Sequence, residues 1–241
     1  MTRDDIFADT DARLGTFEFN DAVARVFPDM LERSIPGYGQ TIEAIGMLAR
    51  RKVPAGTRCY DLGCSLGAAT LAMRHNITAD GCRIIAVDNA RAMVDRCTAI
   101  IKKDDAATPV DVVLADLQDV VIENASMVVM NYTLQFLPPA ERAASLENIA
   151  QGMLHNGVFV LSEKVIDDDA DFDAHLIELH HDFKRRNAYS EMEIARKRAA
   201  IENVLIPESV ATHIARLKNA GFRHAGVWLR WFNFVSFLAV R

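Results

Sequence analysis

The chain has 241 residues, of which 50% are apolar and 25% are charged. This composition is typical of a soluble globular protein and excludes a disordered chain, a fibre and a small disulfide-stabilised scaffold. The formal net charge of −6 gives no overall attraction to a polyanion, so nucleic-acid binding would require a local basic patch.

The sequence also bears on where the protein works. No apolar run approaches the roughly 18 residues that a membrane-spanning helix needs, and the N-terminal residues lack the apolar core of a secretory signal. The four cysteines are scattered, without a CxxC pair or the spacing of metal ligands. We therefore expect a cytoplasmic protein with reduced thiols, no membrane span and no bound metal.

The first 55 residues are predicted to form a helical cover. No regular pattern precedes Asp21, but apolar residues then recur at helical spacing to about Ser34, and again over about residues 40–51. The breaker cluster Pro36-Gly37-Tyr38-Gly39 separates the two helices. Tyr38 is predicted to lie in this loop, where a side chain can cover a ligand.

Short β-rich runs then alternate with helices, predicted at about residues 68–75, 91–102 and 138–152. The predicted strands cover about residues 59–61, 83–87, 110–114, 126–130 and 157–161, and they end near Asp61, Asp88, Asp116, Asn131 and Glu163. This alternation predicts an α/β, Rossmann-like fold with right-handed βαβ units and a mostly parallel sheet.

The last third of the chain is predicted to be helical and then β-rich. A charged and mostly helical stretch covers about residues 170–205, and Pro207 is predicted to open an amphipathic helix that ends at Ala220-Gly221. Two β-rich runs follow at about residues 225–230 and 234–240, and their short connection predicts an antiparallel hairpin. With this hairpin the predicted sheet has seven strands. Residues 1–241 are predicted to form a single domain with a helical insertion at 170–205.

Polar residues at the predicted strand ends indicate a nucleoside site, because ligands of open parallel sheets bind beyond the carboxyl ends of the strands. Gly63 and Gly67 allow a tight turn and a close backbone approach. Asp88, 21 residues beyond Gly67, can accept from two ribose hydroxyls, and Asp116 can meet an adenine amino group. Each residue alone is more typical of a plain turn or a helix N-cap, but the set indicates an adenosine pocket.

The loop after the first strand narrows the ligand further. It reads Gly63-Cys64-Ser65-Leu66-Gly67, which lacks the G-x-G-x-x-G pattern of a dinucleotide site. It is similar to the D-x-G-x-G-x-G loop of class I methyltransferases, with Ser65 in place of the middle glycine. That loop holds one nucleoside with an amino-acid tail, not a pyrophosphate.

Almost the whole chain, from about residue 12, resembles one family. The segments RSIPGYGQ, YDLGCSLGAATLAMRHNI, AVDNARAM, IENASMVVMNYTLQFL, LSEK, HHDFKRRNAYSEMEI and RKRAAIENVL are similar to carboxy-S-adenosyl-L-methionine synthases. The resemblance implies S-adenosyl-L-methionine and prephenate as substrates, with carboxy-S-adenosyl-L-methionine, phenylpyruvate and water as products, in the modification of tRNA wobble uridine. It also implies a homodimer, for which residues 170–205 are the candidate interface and lid, without direct binding of nucleic acid.

The same resemblance implies a set of ligand contacts. They are Tyr38 as a cover, Gly63, Cys64 and Ser65 at the methionyl end, Asp88 and Asn89 at the ribose, Asp116 and Leu117 at the adenine, Asn131 near the sulfonium, and Arg198 at the transferred carboxylate.

The implied reaction explains why a cation such as Arg198 is needed in the site. A methyl group on a sulfonium is acidic, and loss of its proton gives an ylide that can attack CO₂. Aromatisation of prephenate supplies the driving force, and the departing hydroxide takes the proton, so no side-chain base is required. The new carboxylate needs a cation, and a guanidinium binds it bidentately. A methyltransferase has no such need, because a cation repels the sulfonium.

Other basic residues have simpler interpretations. Arg196 and Lys197 are expected to be surface residues or to steer the substrate. The run Arg196-Lys197-Arg198 would also fit a solvated helix face or a tRNA-binding patch. Arg185 and Arg186 are further candidates for the carboxylates of prephenate. The adjacent His180 and His181 point about 100° apart on a helix, so we expect packing, hydrogen bonding or an interface role from them rather than metal binding.

Two other functions stay open at the level of sequence. One is a conventional S-adenosyl-L-methionine-dependent methyltransferase that acts on a small molecule or on tRNA. The other is a non-catalytic module that binds an adenosyl ligand.

Overall fold

The computed structural model describes residues 2–8, 17–201 and 204–241. The helices are α1 (Asp21–Ser34), α2 (Tyr38–Lys52), α3 (Ala68–Asn76), α4 (Arg91–Lys103), α5 (Arg142–Gly152), α6 (Ala170–Arg186), α7 (Glu191–Ile201) and α8 (Val210–Asn219). The strands are β1 (Arg58–Leu62), β2 (Arg83–Asp88), β3 (Val110–Leu114), β4 (Ala125–Asn131), β5 (Met153–Ile166), β6 (Glu208–Ser209), β7 (His224–Trp231) and β8 (Phe234–Val240). None of these helices is long and apolar enough to cross a membrane.

The strands form a sheet in the order β3-β2-β1-β4-β5-β8-β7, and β6 pairs with the end of β5. Strands β1 to β5 pair in parallel, whereas β8 pairs antiparallel with both β5 and β7. The predicted mostly parallel sheet with a C-terminal hairpin is therefore confirmed, and the two-residue strand β6 adds an eighth strand to the seven predicted. The chain reverses its winding between β1 and β4, which is where ligands bind in this class of sheet.

Both faces of the sheet are buried. In β4, Val128 and Met130 belong to one hydrophobic cluster, and Met127 and Val129 belong to the other. Helices α5 and α8 cover the first face, whereas α2 and α3 cover the second. Full burial of an aliphatic side chain contributes roughly 1.5–3 kcal/mol, so the apolar centre of the sheet supplies much of the folding free energy.

Three predicted boundaries on the first two thirds of the chain are wrong. Helix α2 begins at Tyr38, so this residue is helical rather than part of a loop. Helix α5 begins at Arg142 instead of near 138, because residues 138–141 form a hydrogen-bonded turn. Strand β5 extends to Ile166, because its second half pairs with both β8 and β6.

The predicted helical insertion contains two helices. Helix α6 ends at Arg186, and Ala188 adopts a positive φ of 62° that a continuing helix cannot accommodate. Residues 202–203 of the predicted stretch, like residues 9–16 of the N-terminal segment, lie outside the described residues. The last helix, α8, begins at Val210 rather than at Pro207, and the Ser209 hydroxyl caps it by accepting from the Thr212 amide.

A substitution at Gly37 tests whether close packing against Trp231 positions the start of α2. It has φ of 73°, and an added Cβ would lie 2.1 Å from Cδ1 of Trp231. We expect Gly37→Ala to lower the free energy of unfolding by at least about 1 kcal/mol, through backbone strain and this steric conflict. Urea denaturation measures the change.

The matched control is Gly39→Ala, two residues later and inside α2. An added Cβ at Gly39 meets no atom within 4 Å, and alanine is the better helix former. Gly39→Ala should be neutral or stabilising, and equal losses in the two variants would contradict the strain at Gly37.

Candidate functional site

A cavity of about 490 Å³ opens at the carboxyl ends of the parallel strands. Asp61 near the end of β1, Asp88 at the end of β2 and Asn131 at the end of β4 all contribute to its wall. The cavity therefore lies beside the point where the chain reverses its winding, as expected for a ligand site in this fold.

The structure brings all the residues that were assigned as ligand contacts to this one cavity. They are Tyr38, Gly63, Cys64, Ser65, Asp88, Asn89, Asp116, Leu117, Asn131 and Arg198. They come from α2, the loop after β1, the ends of β2 and β4, the turn after β3, and α7. Their individual roles toward a ligand stay predictions.

The loop after β1 is held in a left-handed conformation. Gly63 has φ of 78°, and an added Cβ there would lie 2.3 Å from Oγ1 of Thr133. Ser65, which replaces the middle glycine of the methyltransferase loop, also has a positive φ of 48°. Its amide donates to Oδ2 of Asp88 at 2.9 Å, which stabilises a backbone that non-glycine residues rarely adopt.

Carboxylates gather at one end of the cavity. Asp61 is buried and accepts from the Thr70 hydroxyl at 2.5 Å, and burial raises its pKa to about 6. Burial also raises the pKa of Asp88, whose Oδ1 accepts from the amide of Ala90. The side-chain amide of Asn89 donates from Nδ2 to Oδ1 of Asp116 at 2.9 Å, which connects the predicted ribose and adenine contacts.

Asn131 has an acceptor that the protein leaves open. Its Oδ1 is buried, and no described residue donates a hydrogen bond to it. An unsatisfied buried acceptor costs about 1–3 kcal/mol, so such a group in a cavity wall fits a donor on a bound ligand. Asn131 was assigned near the sulfonium end of S-adenosyl-L-methionine.

Glu163, at the predicted end of the fifth strand, instead lies inside β5 and is fully buried. Burial raises the pKa of this carboxyl well above its ordinary value, and Oε1 accepts from the amide of Leu134. This hydrogen bond fixes the turn after β4, where Tyr132 and Thr133 enter the cavity wall. Glu163 is therefore a positioning residue for this wall.

Basic side chains gather at the other end of the cavity, and most of them were not predicted there. They are Lys164, His180, His181, Lys184, Lys197 and Arg198. The expected surface position of Lys197 is wrong, whereas its alternative role in steering substrate stays a prediction. Lys197 is 7% exposed, donates to the Ser34 hydroxyl at 2.8 Å, and lies 3.6 Å from a carboxylate oxygen of Asp4. The N-terminal segment thus supplies its counter-charge.

Helix geometry corrects the choice of basic residues on α6. Arg185 and Arg186 do not line the cavity, whereas Lys184 does and is 8% exposed. Arg185 instead pairs at the surface with Asp182 and Glu191. Consecutive helical residues point about 100° apart, so only one of the three side chains faces inward.

Burial and neighbouring cations lower the pKa values of Lys184 and His180 at this end of the cavity. Desolvation, together with the fields of Lys197, Lys164 and Arg198, lowers the pKa of Lys184 to about 7. Burial lowers the pKa of His180 to about 2, and its neutral ring donates to the Ser34 carbonyl and packs edge-on against Phe234. The prediction of packing and hydrogen bonding at His180 is confirmed, and the described residues contain no cluster suited to a metal.

An aromatic wall closes the cavity and was missed from the sequence. Phe19 packs edge-on against Phe17 and Phe136, with ring centroids 5.1 and 5.4 Å apart. All three rings line the cavity. Phe17 and Phe19 precede α1, in a segment without periodicity, so no local pattern indicated their position.

Comparison with known proteins gives the family. Residues 60–157 match a methyltransferase domain family. The chain is 55% identical to carboxy-S-adenosyl-L-methionine synthase of Escherichia coli (strain K12 / DH10B), over 99% of this chain and 97% of that protein. The chain belongs to the carboxy-S-adenosyl-L-methionine synthase family. The resemblance noted from the sequence is therefore confirmed.

Solved structures show the same fold at low sequence identity. An O-methyltransferase family protein from Burkholderia thailandensis has a TM-score of 0.63 and 14% identity, over 92% of this chain and 59% of that one. Human N-acetylserotonin methyltransferase, in complex with S-adenosylmethionine, has a TM-score of 0.61 and 14% identity, over 92% of this chain and 55% of that one. These similarities confirm the class I methyltransferase fold for this synthase family member.

Lys184 should make stability depend on pH in a defined direction. Its pKa is about 7 in the folded protein and about 10.4 in an unfolded chain. Below pH 7 both states are protonated and the full cost of the buried cation is present. This cost falls as pH rises from 7 to 10.4, because there the unfolded state binds more protons.

We therefore expect Lys184→Met to raise the melting temperature more at pH 6 than at pH 9.5. A gain of about 1 kcal/mol corresponds to roughly 2–4 °C for a chain of this size. Calorimetric scans at both pH values measure the effect, with Arg185→Met as the exposed control. Equal gains at the two pH values would contradict the assigned cost.

Proposed function

We propose that this protein converts S-adenosyl-L-methionine and prephenate to carboxy-S-adenosyl-L-methionine, phenylpyruvate and water. Membership of the synthase family supports the product. The observation that carries the proposal is that Arg198, a cation suited to a new carboxylate, lines the same cavity as the S-adenosyl-L-methionine loop and Asn131. A conventional methyltransferase has no use for a guanidinium at this position, because it would repel the sulfonium.

The cavity is divided by charge in a way that suits this reaction. The end formed by Asp61, Asp88 and Asp116 provides acceptors for the ribose hydroxyls, the adenine amino group and the ammonium of the amino-acid tail. The end that contains Arg198 provides cations for carboxylates. An adenosyl ligand that spans both ends would have its sulfonium between them, near Asn131.

The proposed reaction balances without a side-chain base. Prephenate loses CO₂ and hydroxide and becomes phenylpyruvate, and the hydroxide removes a proton from the sulfonium methyl group to give water. The resulting ylide carbon forms a bond to CO₂ and so becomes the carboxymethyl group. The protein's task is to hold the two substrates together and to keep CO₂ from escaping.

The aromatic wall supports this containment. Phe17 and Phe19 line the cavity from the segment before α1, Phe136 lines it from the turn after β4, and Phe234 lines it from β8. Apolar side chains exclude bulk water, which would protonate the ylide before it meets CO₂.

We also propose that the protein is a cytoplasmic homodimer, with α6 and α7 at its interface, that serves tRNA modification without binding tRNA. Three apolar side chains on these helices, Phe172, Leu179 and Met192, are 42–48% exposed, which supports a covered surface there. The net charge of −6 supports a role through a small diffusible product rather than through tRNA contact.

The decisive test is the mass of the ligand formed. After incubation with both substrates, mass spectrometry should detect a species one CO₂ heavier than S-adenosyl-L-methionine, and only when prephenate is present. Transfer of methyl with release of S-adenosylhomocysteine would favour a conventional methyltransferase instead. Recovery of unchanged S-adenosyl-L-methionine would indicate a binding module.

Arg198 should distinguish the two adenosyl ligands. A hydrogen bond to a charged group contributes roughly 1.5–3 kcal/mol, so Arg198→Gln should weaken binding of carboxy-S-adenosyl-L-methionine at least about 10-fold. Binding of S-adenosyl-L-methionine should change less than about 3-fold, because it lacks the extra carboxylate. Isothermal titration with both ligands measures this, with Arg185→Gln as the control, and equal losses would show that Arg198 does not contact that carboxylate.

A further inference from the structure

Three cations at the basic end of the cavity have no close counter-charge in the part of the chain that the structure describes. They are Lys164 from β5, Lys184 from α6 and Arg198 from α7. Among the described residues, no carboxylate oxygen lies within 4.0 Å of any of these three charged groups. Asp173 acts on Lys164 only as a more distant, weakly compensating charge.

Other buried cations in this protein are well paired. The Arg142 guanidinium is fully buried, and it pairs with Glu208 and donates to the carbonyls of Gln135, Leu137 and Ile206. Lys197 has Asp4 and Ser34 as partners. Within the described residues, the contrast indicates that Lys164, Lys184 and Arg198 are kept unpaired for an anion from outside the protein.

The electrostatic cost of this arrangement is visible at two positions. Burial, followed by the field of Arg198, lowers the pKa of Lys164, and burial with the fields of Lys197, Lys164 and Arg198 lowers that of Lys184. Buried charges without partners destabilise a fold strongly. A bound anion between the two ammonium groups would remove that cost.

The adenosyl ligand is not expected to supply this anion. Its one carboxylate lies in the amino-acid tail, which is assigned to the loop of Gly63, Cys64 and Ser65 rather than to Lys164 and Lys184. The carboxylated product adds one carboxylate, which Arg198 alone can hold bidentately. Lys164 and Lys184 are therefore left for the second substrate, which under the proposed function has two carboxylates.

We infer that the basic end of the cavity divides these two carboxylates between different residues. Arg198 holds the carboxylate that leaves as CO₂ and reappears on the adenosyl product, whereas Lys164 and Lys184 hold the carboxylate that stays on phenylpyruvate. This inference rests on the proposed function. Under this assignment, the two lysines bind prephenate and phenylpyruvate. Arg198 binds the transferred carboxylate, both on prephenate and on carboxy-S-adenosyl-L-methionine.

The assignment predicts a separation of effects between the two sets of residues. Lys164→Gln and Lys184→Gln should each raise the KM for prephenate, and the inhibition constant of phenylpyruvate against prephenate, at least about 10-fold. Their Kd for carboxy-S-adenosyl-L-methionine should stay within about 3-fold of the wild-type value, which also shows that the variants are folded. Initial rates by mass spectrometry and isothermal titration give the three constants.

Two further variants control the experiment. Arg185→Gln removes a neighbouring cation of α6 that does not line the cavity, so all three constants should stay within about 2-fold. Lys164→Arg keeps a cation at the site and should retain a KM for prephenate closer to the wild-type value than Lys164→Gln does.

Each other outcome is decisive. An unchanged KM and inhibition constant in both glutamine variants would overturn the division, and so would a parallel loss of carboxy-S-adenosyl-L-methionine binding. If the wild-type protein forms no carboxy-S-adenosyl-L-methionine from prephenate, the proposed function itself fails, and the assignment of the lysines fails with it.

Discussion

The burial of the sheet on both faces is the constraint on which the site depends. Side chains within β1, β2 and β4 face hydrophobic clusters, so polar groups are largely confined to the ends of these strands. Parallel pairing then brings those ends to one edge. Asp61, Asp88 and Asn131 are close in space for this reason, although they are far apart in the sequence.

The second half of the site depends on charge rather than on burial of apolar surface. Helices α6 and α7 turn Lys184 and Arg198 toward the cavity, and β5 contributes Lys164. The same protein pairs Arg142 and Lys197 with carboxylates. Among the described residues, the buried Lys184 has no carboxylate within 4.0 Å, and this lowers the free energy of unfolding, which is a common cost of a binding site.

Several buried polar contacts connect the two halves. The Glu163 carboxyl fixes the turn after β4, and Asp4 accepts from the Tyr189 hydroxyl while it neutralises Lys197. The N-terminal segment therefore contributes to the site in two ways, through Asp4 and through the aromatic rings of Phe17 and Phe19. A cavity with one acidic end, one basic end and an apolar wall fits a cationic adenosyl ligand and an anionic partner.

The sequence by itself determined the order of strands and helices, the glycine loop, the polar strand ends and the family, because these are local patterns or contiguous motifs. It placed Ser65 at a glycine position, and the structure gives that residue a positive φ. The tertiary structure alone decided which cations face the cavity: it selected Lys184 over Arg185, and it buried Lys197 against Asp4. Whether a side chain points into the cavity depends on the rotational position of its helix and on partners more than 100 positions away. Neither can be read from spacing along the chain.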